Sequence, residues 1–137
     1  MLPRLSDRIK YLVRKEFQNV TSPRAEHELE LANEPSFNTF YNAGTLVVIC
    51  AKGDSAYLQA DSWLAAENLM LAAWAKGLGA CPIGFAIPAL KSEEWRVELN
   101  IPEDTAPIEA IIAGFPEGRP RQRTARKSPK ILSWRRQ

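Results

Sequence analysis

Histidine and cysteine are scarce in this chain of 137 residues: one histidine, His27, and two cysteines, Cys50 and Cys81. Two cysteines build neither a disulfide scaffold nor a four-ligand zinc site, so metal chemistry that needs Cys and His clusters is excluded. A Ser-His-Asp or Cys-His triad could form only around His27, which stands in the acidic stretch Glu26 to Glu30 and reads as a surface residue. Acidic residues are missing from the last nineteen positions. Met1 to Gly118 carries 10 basic and 16 acidic residues, a net of −6, whereas Arg119 to Gln137 carries 8 basic residues, so the overall +2 conceals a basic tail on an acidic body. The start, Met1-Leu-Pro-Arg-Leu-Ser-Asp-Arg, has charge at once and no apolar core of signal-peptide length. A long uninterrupted apolar run is lacking too. Ala56 to Ala75 comes nearest, but Gln59, Asp61, Glu67 and Asn68 break it, and an acidic residue inside hydrocarbon costs about 2.5–3.5 kcal/mol on insertion scales. That stretch reads as a buried helix of a soluble protein, which predicts a cytoplasmic chain with reduced thiols and no membrane partner.

What is present is ordinary globular material. With 45% hydrophobic and 25% charged residues, the composition supports one core, and the length does not support two. Ile9, Leu12, Val13 and Phe17 recur at spacings of three and four, predicting an amphipathic helix that starts near a Ser6 cap. Thr21 to Asn33 is polar, with a break at Pro23 and room for a short helix before turn chemistry at Asn33 to Asn38. Thr45 to Ala51 is a continuous β-branched run without alternation, predicting a strand buried on both faces. A helix follows from Ala56 to Lys76, ending at Gly77. It is apolar nearly all round, with Trp63, Leu64, Leu69, Met70, Leu71 and Trp74, as expected of a central helix or the core of a dimer. Gly79 to Phe85 reads as a brief strand, Pro88 to Leu99 as a helix and Pro107 to Ala113 as a strand. Beyond Glu117 an extended arm runs to Ile131-Leu-Ser-Trp134 and must dock on something to be ordered.

The glycine cluster Gly77-Leu-Gly79-Ala-Cys-Pro82-Ile-Gly84 is not a dinucleotide fingerprint. Such a fingerprint follows a strand and opens a helix, whereas this cluster closes a helix and has Pro82 at the sixth position. Close approach of main chain to a planar ligand is the better use of these glycines, and a tight helix-to-strand turn is the alternative.

Four blocks, Ala65-Ala-Glu-Asn-Leu-Met-Leu-Ala-Ala73, Gly77 to Phe85, Ile101-Pro with Ile108 to Pro116, and Arg126-Lys-Ser-Pro129, together resemble the C-terminal two thirds of the FMN-dependent nitroreductase family. The resemblance runs from about Phe40 to Trp134 and implies an α+β fold, with helices around a mostly antiparallel sheet, in a single domain over 1–137 with 117–137 as a basic arm. It implies a homodimer with FMN at the subunit interface, Pro82, Ile83, Gly84 and Phe85 along the isoalloxazine, and a backbone N–H near flavin N5. It places Arg126 and Lys127 on the phosphate, where a guanidinium makes charge-assisted bonds; a solvated basic tail is the other reading of this pair. Phe40, Tyr41 or Trp63 could cover the ring, although core packing explains each of them. The family opens with an arginine-rich segment, helices and a strand that do not precede Ser6, so an N-terminally truncated fold is expected, short of most of the phosphate clamp and one strand. Two missing arginines at about 1.5–3 kcal/mol each amount to two to four decades of affinity.

The function so implied is a flavin oxidoreductase carrying electrons from NAD(P)H to a nitroaromatic, quinone or similar acceptor. The cofactor performs the difficult chemistry, so no protein acid, base or nucleophile is assigned as catalytic. The alternative is a cofactor-free relative serving as a dimerisation or interaction module. Nucleic-acid binding is disfavoured, because the body is acidic and the tail lacks interleaved aromatics other than Trp134.

Overall fold

The computed structural model describes residues 1–118 and 125–135. Its elements are α1 (Leu2–Phe17), α2 (Pro23–Asn33), β1 (Thr45–Lys52), α3 (Leu58–Ala75), β2 (Gly79–Pro82), α4 (Ala86–Leu90), α5 (Glu93–Glu98) and β3 (Thr105–Gly114). The three strands form one antiparallel sheet in the order β1-β3-β2, giving the expected α+β architecture.

α1 buries Ile9 and Val13 of the predicted stripe, adds Leu5 one turn earlier, and leaves Leu12 and Phe17 partly buried. Ser6 is not its cap. The helix begins at Leu2 with Pro3 in its first turn, where a missing N–H costs nothing, and Ser6 is buried against the following loop. There its Oγ donates to Thr39 Oγ1 at 3.1 Å and accepts from Thr39 N–H at 3.0 Å. Pro23 likewise opens a helix rather than breaking one: Ser22 caps α2 by accepting from Ala25 N–H at 3.1 Å. Lys10 ties the two helices together, its Nζ donating to Glu34 O at 2.7 Å and Phe37 O at 3.0 Å. The predicted helix Pro88–Leu99 is in fact two, because Ser92 takes an extended conformation and its Oγ donates to Ala89 O at 2.7 Å, ending α4 and starting α5.

The sheet has two unlike faces. Ala110 and Ile112 of β3, with Leu46 and Val48 of β1, meet Leu5, Ile9, Phe40, Ile83, Leu90 and Trp95 in the main core. Side chains alternate along a strand, so Glu109 and Ile111 point to the other face, and the register shift beside Glu109 breaks the alternation before it reaches Pro107. That face is covered by α3, which packs on the three strands alone. α3 stops in a Schellman motif: Gly77 sits at φ +77°, its N–H donates to Trp74 O, and Leu78 N–H reaches back to Ala73 O at 2.9 Å.

Two expectations are corrected here. β1 is only half-buried, because it lies at the edge of the sheet with β3 as its sole strand neighbour. α3 is not enclosed by its own chain. Only Ser62, Ala66 and Ala73 are buried, while Leu64, Leu71 and Trp74 are 65%, 57% and 61% exposed. At 100° per residue these three and Trp63 fall within about a third of the circumference, turned away from the sheet-facing stripe and with the exposed Glu67 among them. Among the described residues no helix is long and apolar enough to cross a membrane.

Candidate functional site

β2 ends at Pro82, and the chain turns through Ile83, Gly84 and Phe85 into α4. The turn is pinned from behind. Ile83 puts its side chain into the core and donates its N–H to Ala110 O at 2.7 Å, and Ala86 N–H closes onto Ile83 O at 3.0 Å. Gly84 and Phe85 N–H find no backbone acceptor among the described residues. In front of the turn lies a groove of about 550 Å³, whose floor includes Cys81, Pro82, Ile83, Gly84 and Phe85. A Cβ built on Gly84 meets nothing within 4 Å, so the main chain here faces open space.

The opposite wall comes from α1, α2 and the loop before β1. Val13 and Phe17 continue the α1 stripe past the sealed core, Arg24 and Glu28 come from α2, and Phe37 and Tyr41 from the loop. The two loop rings meet edge to face at 5.7 Å between centroids. The loop holds its shape through Asn38, whose Oδ1 accepts from Phe40 N–H at 2.9 Å and whose Nδ2 donates to Asn42 Oδ1 at 3.0 Å, with Tyr41 and Asn42 both left-handed. The volume and the apolar lining with a few charged groups are those of a small-molecule site. A second groove of about 600 Å³, floored by Gly44, Gly79 and Gly114 at the end of the sheet, shares Tyr41 and Cys81 with the first.

Pro82, Ile83, Gly84 and Phe85 thus lie together on one floor. Arg126 and Lys127 are described, exposed and outside any helix or strand, and they line neither groove. The intervening residues 119–124 of the arm, and 136–137 at its end, lie outside the described residues. Of the ring-covering candidates, Phe40 is fully buried in the core, Trp63 lies on the exposed side of α3, and Tyr41 lines the groove. His27 is exposed on α2. Both cysteines are free, and burial pushes the Cys50 thiol up despite Arg96 nearby, which keeps it protonated. No His/Cys/Asp/Glu group among the described residues could hold a metal ion. The α1 and α2 wall was missed by sequence reasoning; its one signal was Phe17, a ring at the end of a stripe already long enough to cover the core.

Comparison with known proteins bears on the family and the fold. The model of the nitroreductase family matches residues 4–118, which adds α1 and α2 to the region of resemblance and leaves out the arm. Among solved structures, an FMN-bound nitroreductase from Bacteroides fragilis is similar at TM-score 0.75 and 22% identity, over 98% of this chain and 70% of that one. An FMN-dependent nitroreductase from Clostridium difficile gives 0.69 and 21% over 95% and 73%, and an FMN-bound nitroreductase from Desulfitobacterium hafniense 0.68 and 15% over 90% and 66%. At such identities the likeness to these structures concerns the fold. No curated protein matches the chain.

Proposed function

The chain belongs to the nitroreductase family, and from that premise we propose that it is a flavin oxidoreductase that binds FMN in the groove before Gly84. The carrying observation is the bare main chain of Gly84, open to a groove wide enough for a fused ring and walled by apolar side chains. The residues present fit the ring. Pro82 to Phe85 supply a flat floor with two N–H groups free of backbone acceptors, and Phe37 and Tyr41 supply the aromatic rim. When bound, the flavin supplies hydride and electron transfer, here between NAD(P)H and a nitroaromatic, quinone or similar acceptor. The protein's share is placement: the turn would orient the ring and α1 and α2 would wall it off, while Arg126 and Lys127 are the phosphate ligands the resemblance implies, although they line neither groove in the single chain. Saturable FMN binding with NAD(P)H-dependent bleaching of the visible spectrum supports this reading. A folded sample that fails to bind FMN at micromolar concentration refutes it in favour of the cofactor-free module, a reading favoured by the position of Arg126 and Lys127 outside both grooves.

Arg126→Ala is expected to weaken FMN binding about tenfold or more, since a hydrogen bond to a charged group is worth about 1.5–3 kcal/mol. Riboflavin, which lacks the phosphate, should bind both forms alike. Equal FMN affinity in flavin fluorescence titrations would remove Arg126 from the site.

The working unit in this reading is a homodimer. The exposed side of α3 carries Trp63, Leu64, Leu71 and Trp74 around the single carboxylate Glu67, and a second copy is its expected cover. Leu64→Glu with Leu71→Glu buries two carboxylates in that contact and leaves the sheet-facing stripe untouched. Sedimentation should show a dimer in the parent chain and a folded monomer in the double variant; the same mass for both refutes the assignment.

A further inference from the structure

Glu109 is a carboxylic acid in a layer of hydrocarbon. It sits midway along β3 with 5% of its surface exposed, on the face that α3 covers. Its neighbour on that face is Ile111, and its partner across the ladder is Ile49 of β1, next to the irregularity at Ile49/Cys50. Oε2 is sealed from solvent and has no hydrogen-bond partner. The helix above offers it nothing better. Of the buried residues of α3 only Ser62 is polar, and its hydroxyl donates to Leu58 O of the same helix at 2.7 Å.

Among the described residues of the elements packed against it, no cation is free to neutralise this group. α3 contains no lysine or arginine, and its charged residues, Asp61 and Glu67, are acidic and exposed. β1 brings Cys50 and Lys52, the latter ion-paired with Asp104. Arg96 of α5 donates to Thr105 O and Pro102 O at the entrance to β3. β2 brings Cys81 as its one titratable residue. A neutral carboxyl tolerates such a place far better than a carboxylate does. Burial accordingly pushes the Glu109 pKa up from the ordinary glutamate value.

We infer that Glu109 is a proton-operated latch for α3: neutral, it lies beneath the helix, and ionised, it drives helix and sheet apart. The inference is independent of the flavin reading, but it reaches the same groove, because α3 runs through Gly77 and Leu78 directly into β2 and the Gly84 turn. The sign follows from proton binding. The packed state holds its proton to a higher pH than the open state, so packing is fully favoured below the open-state pKa and weakens as pH rises from there to the packed-state pKa. Each pH unit inside that window shifts the opening equilibrium by up to about tenfold.

Hydrogen exchange on the intact chain, corrected for intrinsic rates, tests this. Protection of α3 amides relative to α1 amides should fall about tenfold or more between about pH 5 and pH 8 in the parent chain and stay level in Glu109→Gln. A carboxyl NMR titration of the parent chain should show Glu109 losing its proton later than the exposed glutamates, and this readout needs no variant. An α3-to-α1 ratio that behaves identically in both proteins, or a Glu109 that titrates with the surface carboxylates, overturns the latch.

Discussion

Gly84→Val is expected to leave the chain folded and to lower its affinity for FMN at least about a hundredfold, or roughly 2.7 kcal/mol. The two halves of this outcome have separate causes. Folding is spared because a Cβ at Gly84 meets nothing within 4 Å and the residue is not left-handed, so a side chain brings neither clash nor backbone strain. Binding is lost because the new methyl groups stand where the ring must lie. Lifting a fused ring by the thickness of a methyl group forfeits dispersion contacts across its whole face and takes it out of reach of the Gly84 and Phe85 N–H groups. Thermal melts of both proteins without flavin, beside flavin fluorescence titrations, separate the two effects. If the variant binds FMN as the parent does, the ring does not rest on this turn.

The same turn shows how far the residue pattern could be read. Pro82 to Phe85 are singled out by the family resemblance, with a glycine cluster that suits either a planar ligand or a tight turn, and the four lie on one floor. The facing wall left no comparable signal. It is assembled from Val13, Phe17, Arg24, Phe37 and Tyr41, each ordinary for an amphipathic helix or a loop and all far from Gly84 along the chain. Arg126 and Lys127 are the converse: conspicuous by charge, yet exposed and outside the groove. Periodicity predicted α3 and β3 correctly as elements but could not say what covers them. A helix apolar on all sides is equally consistent with enclosure by its own fold and with a partner, and only the position of α3 on a three-stranded sheet shows one stripe left open. β1 misled for a related reason, since a β-branched run fits a central strand and is equally able to form an edge. Ser6 and Ser92 misled because a serine hydroxyl bonds wherever a backbone group is within reach, and which group that is depends on tertiary contacts.

Trp95→Ala should cost about 3–5 kcal/mol of folding stability, the range for truncating a large buried aromatic, against a total of about 5–15 kcal/mol for a domain. Trp95 has no exposed surface and heads the fully buried side chains by volume. It is the buried residue of α5, a helix of 6 residues that is too short to persist without tertiary anchoring. Its neighbours in the core include Leu5 and Ile9 of α1 and Ala89 and Leu90 of α4. Removing the indole therefore opens a cavity that rigid elements on two sides cannot close. The polar contacts around it are worth much less. Arg4 lies 5.4 Å above the ring and pairs with Glu94 and Glu98 at 3.4 and 3.1 Å, but on an exposed surface such pairs contribute about 1 kcal/mol or less. Trp95 Nε1 has no hydrogen-bond partner, so a ring without that group loses no bond. Trp95→Phe should accordingly cost about 1–2 kcal/mol, well short of the alanine change, and chemical denaturation of the two variants reads the difference directly. Because α4 starts immediately after Phe85, the alanine variant should also bind flavin less well at temperatures just below its melting point, where the phenylalanine variant still binds. A cost below 1 kcal/mol for Trp95→Ala would mean that the core between α1 and α5 is not what supports the turn.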